Sequence, residues 1–341
     1  MSRHRITSTI SGSSFDQCGQ DTVLRAALRA GIAFQYECNS GGCGSCKFEL
    51  IEGTVDKLWP TAPGLSERDQ RKGHLLACQC KATNDLQIKF RAGVPQAVAP
   101  TPAIRQRATL TGMSELTHDI REFRFTTIEA AAFRPGQYAM LEIPGVPEAR
   151  AYSMSNIGNT EGQWHFQIRR VRSGRATERL FEHLAIGDTV EIDGPYGHAY
   201  LRPDVSRDII CVAGGSGLAP MVSIVRGAAQ AEMLKARRLH FFYGGRTARD
   251  ICGDDFLQVL GEHASSVQFH PVVSMPQDDT SKHWTGETGF VHEAVQRAFG
   301  ERLSDFEFYL AGPPPMTQAM QEMLMLAHKV PFEQIHFDRF F

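Results

Sequence analysis

Three cysteines and three glycines share nine consecutive positions, CNSGGCGSC at 38–46, and this loop constrains the 341-residue chain more than any other feature. Its cysteines follow the spacing Cys38-x4-Cys43-x2-Cys46. An iron–sulfur cluster needs four thiolates that converge on a small space, and this spacing is the plant-type one for a [2Fe–2S] cluster. The loop therefore predicts three of the four ligands of such a cluster.

The glycines of the loop support the same interpretation. Gly41, Gly42 and Gly44 would permit the unusual backbone angles and the close approach that wrapping a cluster requires. Backbone N–H groups turned inward could then donate to the sulfurs. A zinc site is the alternative, but zinc sites usually combine one close pair of cysteines with a second close pair. The pattern favours a [2Fe–2S] cluster.

The spacing alone leaves the fourth ligand open. Cys78 and Cys80 in LLACQC are two residues apart, so on a strand both side chains would point to the same side. The remaining cysteines, Cys18, Cys211 and Cys252, are predicted to be small buried hydrophobic residues.

Composition excludes several functional classes. Hydrophobic residues make up 42% of the chain and charged residues 22%, and the net charge is -2. These values are typical of a globular protein and give no general attraction to nucleic acid or to a membrane. No apolar run approaches about 18 residues, and no signal peptide is evident at the start. We therefore expect a cytoplasmic protein, where clustered cysteines are more often metal ligands than disulfides.

Changes of pattern divide the chain into segments. The stretch VPQAVAPTPAIRQ contains three prolines and predicts an extended spacer. Short strand candidates follow it and predict an antiparallel barrel or sandwich, and long apolar strands alternating with helices then predict a parallel sheet with helices on both faces. The predicted boundaries are 1–93 for the cluster domain, 94–104 for the linker, 105–205 for the antiparallel domain and 206–341 for the α/β domain.

Two stretches of the antiparallel segment carry groups that suit a flavin nucleotide. In RAYSMSN, Arg150 could pair with a phosphate, Tyr152 could lie on a flat ring and Ser153 could donate to a ring nitrogen. In SGRAT, residues 173–177, a helix start would offer N–H groups and a hydroxyl to phosphate. Taken alone, these residues favour an ordinary barrel strand followed by a capped helix, without a ligand.

Three glycine clusters end predicted strands of the α/β segment, in VAGGSGLAP, FYGGRTARD and YLAGPPPM. The first is not a strict G-x-G-x-x-G, and a tight turn without a ligand is the alternative. Ligands in open α/β sheets bind outside the carboxyl ends of the strands, where all three clusters fall. The clusters predict a nucleotide site formed by Gly214, Gly215, Gly217, Gly244, Arg246, Gly312 and Pro313.

These motifs resemble known families. CNSGGCGSC with LLACQC resembles the plant-type ferredoxin module, which implies a β-grasp α+β fold and selects Cys78 as the fourth ligand. R-x-Y-S followed by G-x-x-T resembles the FAD-binding barrel of the ferredoxin–NADP reductase superfamily. GGSGLAP, YGGRTARDI and AGPPPM resemble its nicotinamide-binding signatures, except that Ala311 stands where many relatives have a cysteine, which excludes a thiol role there.

The resemblance also implies roles for single residues. Arg150 would contact the FAD pyrophosphate, Tyr152 would pack on the flavin or its ribityl chain, and Ser153 would approach flavin N5, so Tyr152 and Ser153 are the expected catalytic residues. At the C-terminus, Phe340 or Phe341 would cover the flavin, unless the segment packs on the α/β domain. The pyrophosphate would be held by Gly174, Ala176 and Thr177.

The order of cluster, flavin and nicotinamide motifs resembles the NADH reductases of toluene monooxygenase systems. The likeness rests on YECNSGGCGSC, LWPTAPGL, LLACQCK, AGGSGLAPMVS and VPFEQIHFDRFF. It implies electron transfer from NADH through FAD and the [2Fe–2S] cluster to a Rieske ferredoxin or a diiron hydroxylase (oxygenase) component. The partner would dock on the exposed side of the cysteine loop.

Other functions are compatible with parts of this pattern. The same order of modules could serve a Rieske-type dioxygenase, and a non-catalytic flavin and iron–sulfur redox sensor is a further alternative. Arg246 could recognise a 2′-phosphate, but the nearby Asp250 favours an unphosphorylated ribose and therefore NADH.

Overall fold

The computed structural model describes residues 3–93, 101–252, 254–258 and 260–340. Most of the predicted linker, residues 94–100, and Phe341 lie outside these residues. The chain divides into two compact units, with the first ending at Ile104 and also containing the short segment Glu148–Ala151. Among the described helices, none has both the length and the apolar composition needed to span a bilayer.

The first unit is built on a mixed five-stranded sheet in the order β2-β1-β7-β3-β5, with a separate β4–β6 ladder. Helix α1 begins after Thr22, whose side chain accepts from the N–H of Arg25. Its apolar residues are buried with Ile6, Phe48 and Ile88 of the sheet. This mixed sheet with a packed helix confirms the predicted α+β class. The elements are β1 (Arg3–Ser8), β2 (Ser14–Cys18), α1 (Val23–Arg29), β3 (Lys47–Glu52), β4 (Val55–Lys57), α2 (Glu67–Arg71), β5 (His74–Leu76), β6 (Cys80–Ala82) and β7 (Leu86–Phe90).

The second unit begins with a six-stranded antiparallel sheet in the order β11-β10-β13-β8-β9-β12. A bridge between Met154, just after β11, and Phe166 of β12 joins its two edges, so the sheet is a nearly closed barrel. The barrel confirms the predicted antiparallel domain. Its elements are β8 (Ile104–Glu115), β9 (Ile120–Thr126), β10 (Tyr138–Glu142), β11 (Arg150–Ser153), β12 (Gln163–Arg169), α3 (Arg175–Glu178) and β13 (Thr189–Tyr196).

A parallel six-stranded sheet in the order β17-β16-β15-β14-β18-β19 follows the barrel. Alternate residues of β14 face opposite cores: Cys211 and Ala213 pack with α4, and Ile210 and Val212 pack with α6 and α7. Helices therefore cover both faces, as predicted. The elements are β14 (Asp208–Gly214), α4 (Leu218–Gln230), β15 (Leu239–Gly245), α5 (Asp255–Gln258), β16 (Val267–Val273), β17 (Glu287–Thr288), α6 (Val291–Phe299), β18 (Phe306–Gly312), α7 (Pro314–Gln321) and β19 (Ile335–Arg339).

Helix α4 also holds the barrel against this sheet. The Ser223 hydroxyl donates to the carbonyl of Asn156 (2.6 Å) and accepts from the N–H of Gly136 (3.3 Å). The Arg226 guanidinium donates to the carbonyl of Ser155 (2.9 Å). These bonds fix barrel residues next to β10 and β11 relative to the parallel sheet within the second unit.

One cysteine prediction is wrong. Cys211 and Cys252 are buried as expected, but Cys18 is exposed. Cys18 is the last residue of the edge strand β2 and its side chain points away from the core, since burial alternates along that strand.

Candidate cofactor sites

The cysteine loop owes its shape to left-handed backbone at three positions. Gly41 (φ +91°) and Gly44 (φ +75°) adopt positive φ, as does the non-glycine residue Asn39 (φ 53°). A Cβ atom on Gly44 would lie 2.4 Å from the carbonyl oxygen of Gly64, so no other residue fits there. Gly42 is not among the positive-φ residues, so its expected role in the backbone angles is wrong.

Backbone N–H groups converge on the loop sulfurs. Cys38 Sγ accepts from the N–H of Ser40 (3.5 Å) and of Cys43 (3.4 Å), and Cys43 Sγ accepts from the N–H of Ser45 (3.4 Å). Donors of this kind stabilise thiolates and tune cluster potentials. The hydrogen bond from the Cys43 thiol lowers the pKa of Cys38 to about 5, although burial opposes the shift. The same contact raises the pKa of Cys43, so within this pair the thiolate is favoured at Cys38.

The thiols interact as two pairs. The Cys43 thiol lowers the pKa of Cys38, and the Cys46 thiol raises the pKa of Cys78. The charges of Cys38 and Cys43 also act on Cys78, so all four groups lie in one cluster of side chains. Two pairs of thiols match the donors of two irons, each held by two cysteines.

Cys80 lies apart from this set. Burial, and then the charge of Cys46, raise the pKa of Cys80 to about 12, and neither Cys38 nor Cys43 contributes. Cys78 lies in a 3₁₀ turn, Ala77–Gln79, whereas Cys80 begins strand β6. The expectation that both side chains share one side of a strand is therefore wrong, because the turn separates them.

A single metal ion fits this donor set poorly. In the described part of the chain, one group of three potential metal ligands has all its donor atoms within 4.8 Å of one another. This group consists of His118, Asp119 and Asp250. The cysteine sulfurs do not form such a group, as a tetrahedral zinc site would require. Arg169 Nε lies 2.7 Å from Asp119 Oδ2, so a guanidinium already supplies positive charge to the carboxylates of this group.

Strand β11 carries the residues expected at the flavin. Ser153 is buried, and its hydroxyl forms no hydrogen bond with another described residue. Tyr152 is partly buried against the barrel core. The Arg150 guanidinium lies 3.1 Å from the Glu148 carboxylate. The Ser153 hydroxyl is not among the fully enclosed unpaired polar atoms, so it remains accessible to an acceptor on a bound ring.

The expected phosphate turn begins the short helix α3. Gly174 is its N-cap residue, and the N–H groups of Ala176 and Thr177 belong to the first turn, which has no partners within the helix. The Thr177 hydroxyl donates to the carbonyls of Val171 (3.2 Å) and Gly174 (3.1 Å). It therefore closes the turn, and the backbone remains the donor that suits a phosphate.

The glycine clusters meet at one edge of the parallel sheet. Gly214 pairs with Gly244 at the ends of β14 and β15, and Gly312 ends the neighbouring β18. A Cβ atom on Gly217 would lie 2.0 Å from the Ala311 carbonyl oxygen, so this turn requires glycine. The strand ends and the start of α4 are therefore packed closely enough for a ligand to approach backbone.

These strand ends form a pocket. Five predicted residues line it, and Gly217 and Gly312 instead permit the close packing behind it. Further lining residues were missed by sequence reasoning because nothing in their local pattern marks them. The predicted residues are Gly214, Gly215, Gly244, Arg246 and Pro313, and the missed ones include Asp119, Arg169, Phe290 and Met316.

Asp250 is one of two carboxylates that line this pocket, the other being Asp119. Its Oδ2 accepts from the N–H (2.8 Å) and the hydroxyl (3.1 Å) of Thr247. Burial alone would raise the pKa of Asp250, but these hydrogen bonds and the charges of Arg246 and Arg169 lower it. Asp250 Oδ1 is buried and has no hydrogen bond to a described residue, although Arg246 lies 3.6 Å away. An ionised acceptor therefore faces the pocket.

The described C-terminal end continues beside the same sheet. The Phe340 N–H donates to the Gly312 carbonyl (3.0 Å), and the ring is partly buried against the sheet core. Phe341 lies outside the described residues.

Three family models match the chain in succession. The 2Fe-2S iron-sulfur cluster binding domain matches residues 8–83, the oxidoreductase FAD-binding domain 107–200 and the oxidoreductase NAD-binding domain 211–322. These matches confirm the predicted cofactors.

Curated relatives match over almost the whole chain. The ferredoxin–NAD(P)(+) reductase CarAd of Metapseudomonas resinovorans is 44% identical, covering 97% of this chain and 98% of its own. The ferredoxin–NAD(+) reductase component of an alkene monooxygenase system of Xanthobacter autotrophicus is 38% identical over 96% and 98%. A solved ferredoxin reductase in carbazole 1,9a-dioxygenase matches with a TM-score of 0.89 at 36% identity, covering 100% of this chain and 99% of that chain.

Proposed function

The chain belongs to the family of iron–sulfur flavoprotein ferredoxin–NAD(P)+ reductases, and we propose that its electron acceptor is a ferredoxin component of an oxygenase system. It is an oxidoreductase that transfers electrons from NADH through FAD and a [2Fe–2S] cluster. The acceptor, the roles of single residues and the domain boundaries are the proposed part.

The names of the more similar relatives support a ferredoxin as acceptor. The relatives at 44% and 38% identity, from a Metapseudomonas and a Xanthobacter, are both named as ferredoxin reductases. The xylene/toluene monooxygenase electron transfer component of Pseudomonas putida, the type favoured by the sequence motifs, is 35% identical. Similar proteins serve both monooxygenase and dioxygenase systems, so their names do not specify the type of oxygenase.

The cluster would be held by Cys38 and Cys43 on one iron and by Cys46 and Cys78 on the other. This assignment rests on the two thiol pairs. The cluster supplies one-electron transfer, and the protein contributes ligands, N–H donors to sulfur and partial exclusion of water.

FAD would be held along β11 and at the start of α3. Arg150 would pair with the pyrophosphate, for which Gly174, Ala176 and Thr177 supply the turn. Tyr152 would pack on the flavin, and the unpartnered Ser153 hydroxyl would donate to its edge near N5. The flavin accepts two electrons from the nicotinamide and releases them singly, and these side chains orient it and keep water out.

The pocket at the strand ends would bind NADH. Gly214, Gly215 and Gly217 let the pyrophosphate approach the start of α4, and Gly312 and Pro313 would border the nicotinamide. Gly244 would let the adenosine half approach the end of β15. Asp250 would accept from a ribose hydroxyl and would repel a 2′-phosphate, while Arg246 neutralises part of its charge.

The acceptor can be tested with purified protein containing FAD and the cluster. NADH oxidation is followed with either a Rieske-type [2Fe–2S] ferredoxin or a diiron hydroxylase as the only acceptor. We expect rapid ferredoxin reduction, and reduction of the hydroxylase only when ferredoxin is added. Direct reduction of the hydroxylase together with no reduction of the ferredoxin would contradict the proposal.

A further inference from the structure

The segment LWPTAPGL, Leu58–Leu65, has no part in holding the three cofactors, yet it is bonded to both halves of the cluster site. The Gly64 N–H donates to the Gly41 carbonyl in the cysteine loop (2.9 Å). The Leu58 N–H donates to the Gln79 carbonyl, next to Cys78 (2.9 Å). The segment is therefore held in a fixed position beside all four thiols.

A groove of about 430 Å³ lies beside this segment within the first unit. Its lining is mainly apolar and contains no carboxylate among the described residues. Lys57 lines the groove, and its ammonium group supplies positive charge there. The lining includes Lys57, Trp59, Leu65, Leu75, Gln79 and Cys80.

Large apolar side chains are exposed along the same segment. Leu58 and Trp59 are each 40% exposed, and Ile51 of the neighbouring strand is 54% exposed. An exposed aromatic side chain at the wall of a groove is typical of the anchor of a protein interface.

The surroundings of the groove are basic. Lys57 on β4, and Arg68, Arg71 and Lys72 on α2 and its C-cap, are exposed, and none forms an ion pair with another described residue. The nearby carboxylate of Asp69 is already paired with Lys47. Asp56 on β4 and Glu67 on α2 carry negative charge that offsets part of this positive charge. The excess of positive charge suits an acidic occupant.

The floor of the groove leads to the cluster. Gln79 lines the groove, is buried, and its side-chain amide lies 3.7 Å from Cys78 Sγ. The Gln79 side chain thus lies between the groove and Cys78, a proposed cluster ligand.

From these observations we propose that the groove walled by Trp59 is the docking site of the electron acceptor, a [2Fe–2S] ferredoxin with an acidic face and an apolar anchor. The anchor packs against Trp59, and the acidic face lies against Lys57, Arg71 and Lys72. One electron passes from the reduced cluster past Cys78 and Gln79 to the oxidised cluster of the ferredoxin, with no bond made or broken. This inference rests on the proposed function, because it takes a ferredoxin as the acceptor.

Two changes test the groove in the full-length holoprotein: Trp59→Ala, and the double charge reversal Lys57→Glu with Arg71→Glu. The readout is the KM and kcat for an acidic Rieske-type [2Fe–2S] ferredoxin at low and high salt. We expect Trp59→Ala to raise this KM about tenfold or more, as loss of an aromatic anchor does. We expect the charge reversal to raise it strongly at low salt and little at high salt, because salt screens exposed charges.

Matched changes elsewhere in the first unit serve as controls. Ile10→Ala removes another exposed apolar side chain, which is 64% exposed, and Arg91→Glu reverses another exposed charge. Neither should alter the KM for ferredoxin. Reduction of ferricyanide, cluster absorbance and NADH-driven bleaching of the cluster should stay normal in the groove variants. Reduction of cytochrome c, a basic protein, should not fall in the charge-reversed variant.

The inference is overturned if both groove variants keep the KM of the unmodified chain. It is also overturned if they slow bleaching of their own cluster by NADH, which would assign the groove to transfer within the chain. If the protein is a dimer that dissociates on Trp59→Ala, the groove would instead be the binding site of a second copy of the chain. Failure of the proposed function is distinguishable, since the unmodified chain would then not reduce the ferredoxin at all.

Discussion

At the scale of single residues, the 3₁₀ turn Ala77–Gln79 gives Cys78 a different backbone setting from Cys80, which supports Cys78 as the proposed ligand. The turn brings Cys78 to Cys46, while Cys80 continues into β6 and lines the groove. The two cysteines are equally buried, so burial alone does not distinguish them. Their different backbone geometry does.

Replacement of each of these two cysteines by serine gives the first prediction. Cys78→Ser is expected to abolish the visible [2Fe–2S] absorbance, because one iron would lose a thiolate, whereas Cys80→Ser should retain it. Iron and sulfide content per FAD checks the result. Loss of the cluster only in Cys80→Ser would contradict the ligand assignment.

Gly44 gives a second prediction, with Gly31 as its control. Both have φ near +70°, but a Cβ atom on Gly44 would meet the Gly64 carbonyl, and one on Gly31 would meet nothing within 4 Å. Gly31→Ala should cost only about 1–2 kcal/mol of left-handed strain. Gly44→Ala should cost more and reduce cluster content. Equal cluster content and equal thermal midpoints in both variants would show that the contact with Gly64 is unimportant.

Asp250 gives a third prediction, on cofactor choice. Asp250→Asn keeps an acceptor for the Thr247 N–H and removes the negative charge, so repulsion of a 2′-phosphate should fall. We expect the ratio of kcat/KM for NADPH to that for NADH to rise about tenfold, corresponding to about 1.4 kcal/mol. Asp254→Asn, an exposed carboxylate nearby in sequence, is the control. An unchanged ratio in Asp250→Asn would exclude Asp250 as the selective group.

At the scale of elements, the parallel sheet places two histidines on neighbouring strands. His240 of β15 and His270 of β16 have ring centroids 5.7 Å apart, and His270 stacks on Phe242 (4.3 Å). Burial lowers the pKa of both histidines, and the positive charge of a protonated His270 lowers the pKa of His240 further. Glu287, 3.5 Å from His270, opposes the shift only in part.

The fourth prediction follows from this pair. Because their pKa values in the folded state lie below the unfolded value of about 6.5, the unfolded chain binds more protons as the pH falls. The stabilisation is fully present above about pH 6.5 and is lost as the pH falls through the folded pKa values. The free energy of unfolding should therefore fall below that pH. His270→Phe should flatten this dependence in denaturant titrations between roughly pH 5 and 8, and an equally steep dependence in the variant would contradict it.

At the scale of the whole molecule, the second unit combines a barrel and a parallel sheet, and Ser223 on α4 forms two hydrogen bonds to the barrel across their junction. Its hydroxyl is fully buried, so its partners would be left unsatisfied by a change to alanine. This junction brings Arg169 of the barrel to the pocket beside Asp250 of the sheet.

The fifth prediction concerns this junction. Ser223→Ala should cost about 1–3 kcal/mol, the usual penalty for leaving buried polar groups unpaired. Calorimetry or fluorescence of the holoprotein should show a lower thermal midpoint. Ser206→Ala, which alters an exposed hydroxyl, should leave the midpoint unchanged. A midpoint unaffected by Ser223→Ala would mean that the Asn156 and Gly136 bonds contribute no net stability.

The sequence by itself determined the cofactors, the order of the three modules and most of their ligating residue types. It could do so because Cys38-x4-Cys43-x2-Cys46, the flavin strand and the glycine clusters are local patterns, in which spacing along the chain sets spacing in space. The tertiary structure alone decided how Asp119 and Arg169 reach a pocket formed by another sheet, and where the groove beside Trp59 lies. Those relations join residues far apart in sequence, and packing between elements, rather than local geometry, determines them.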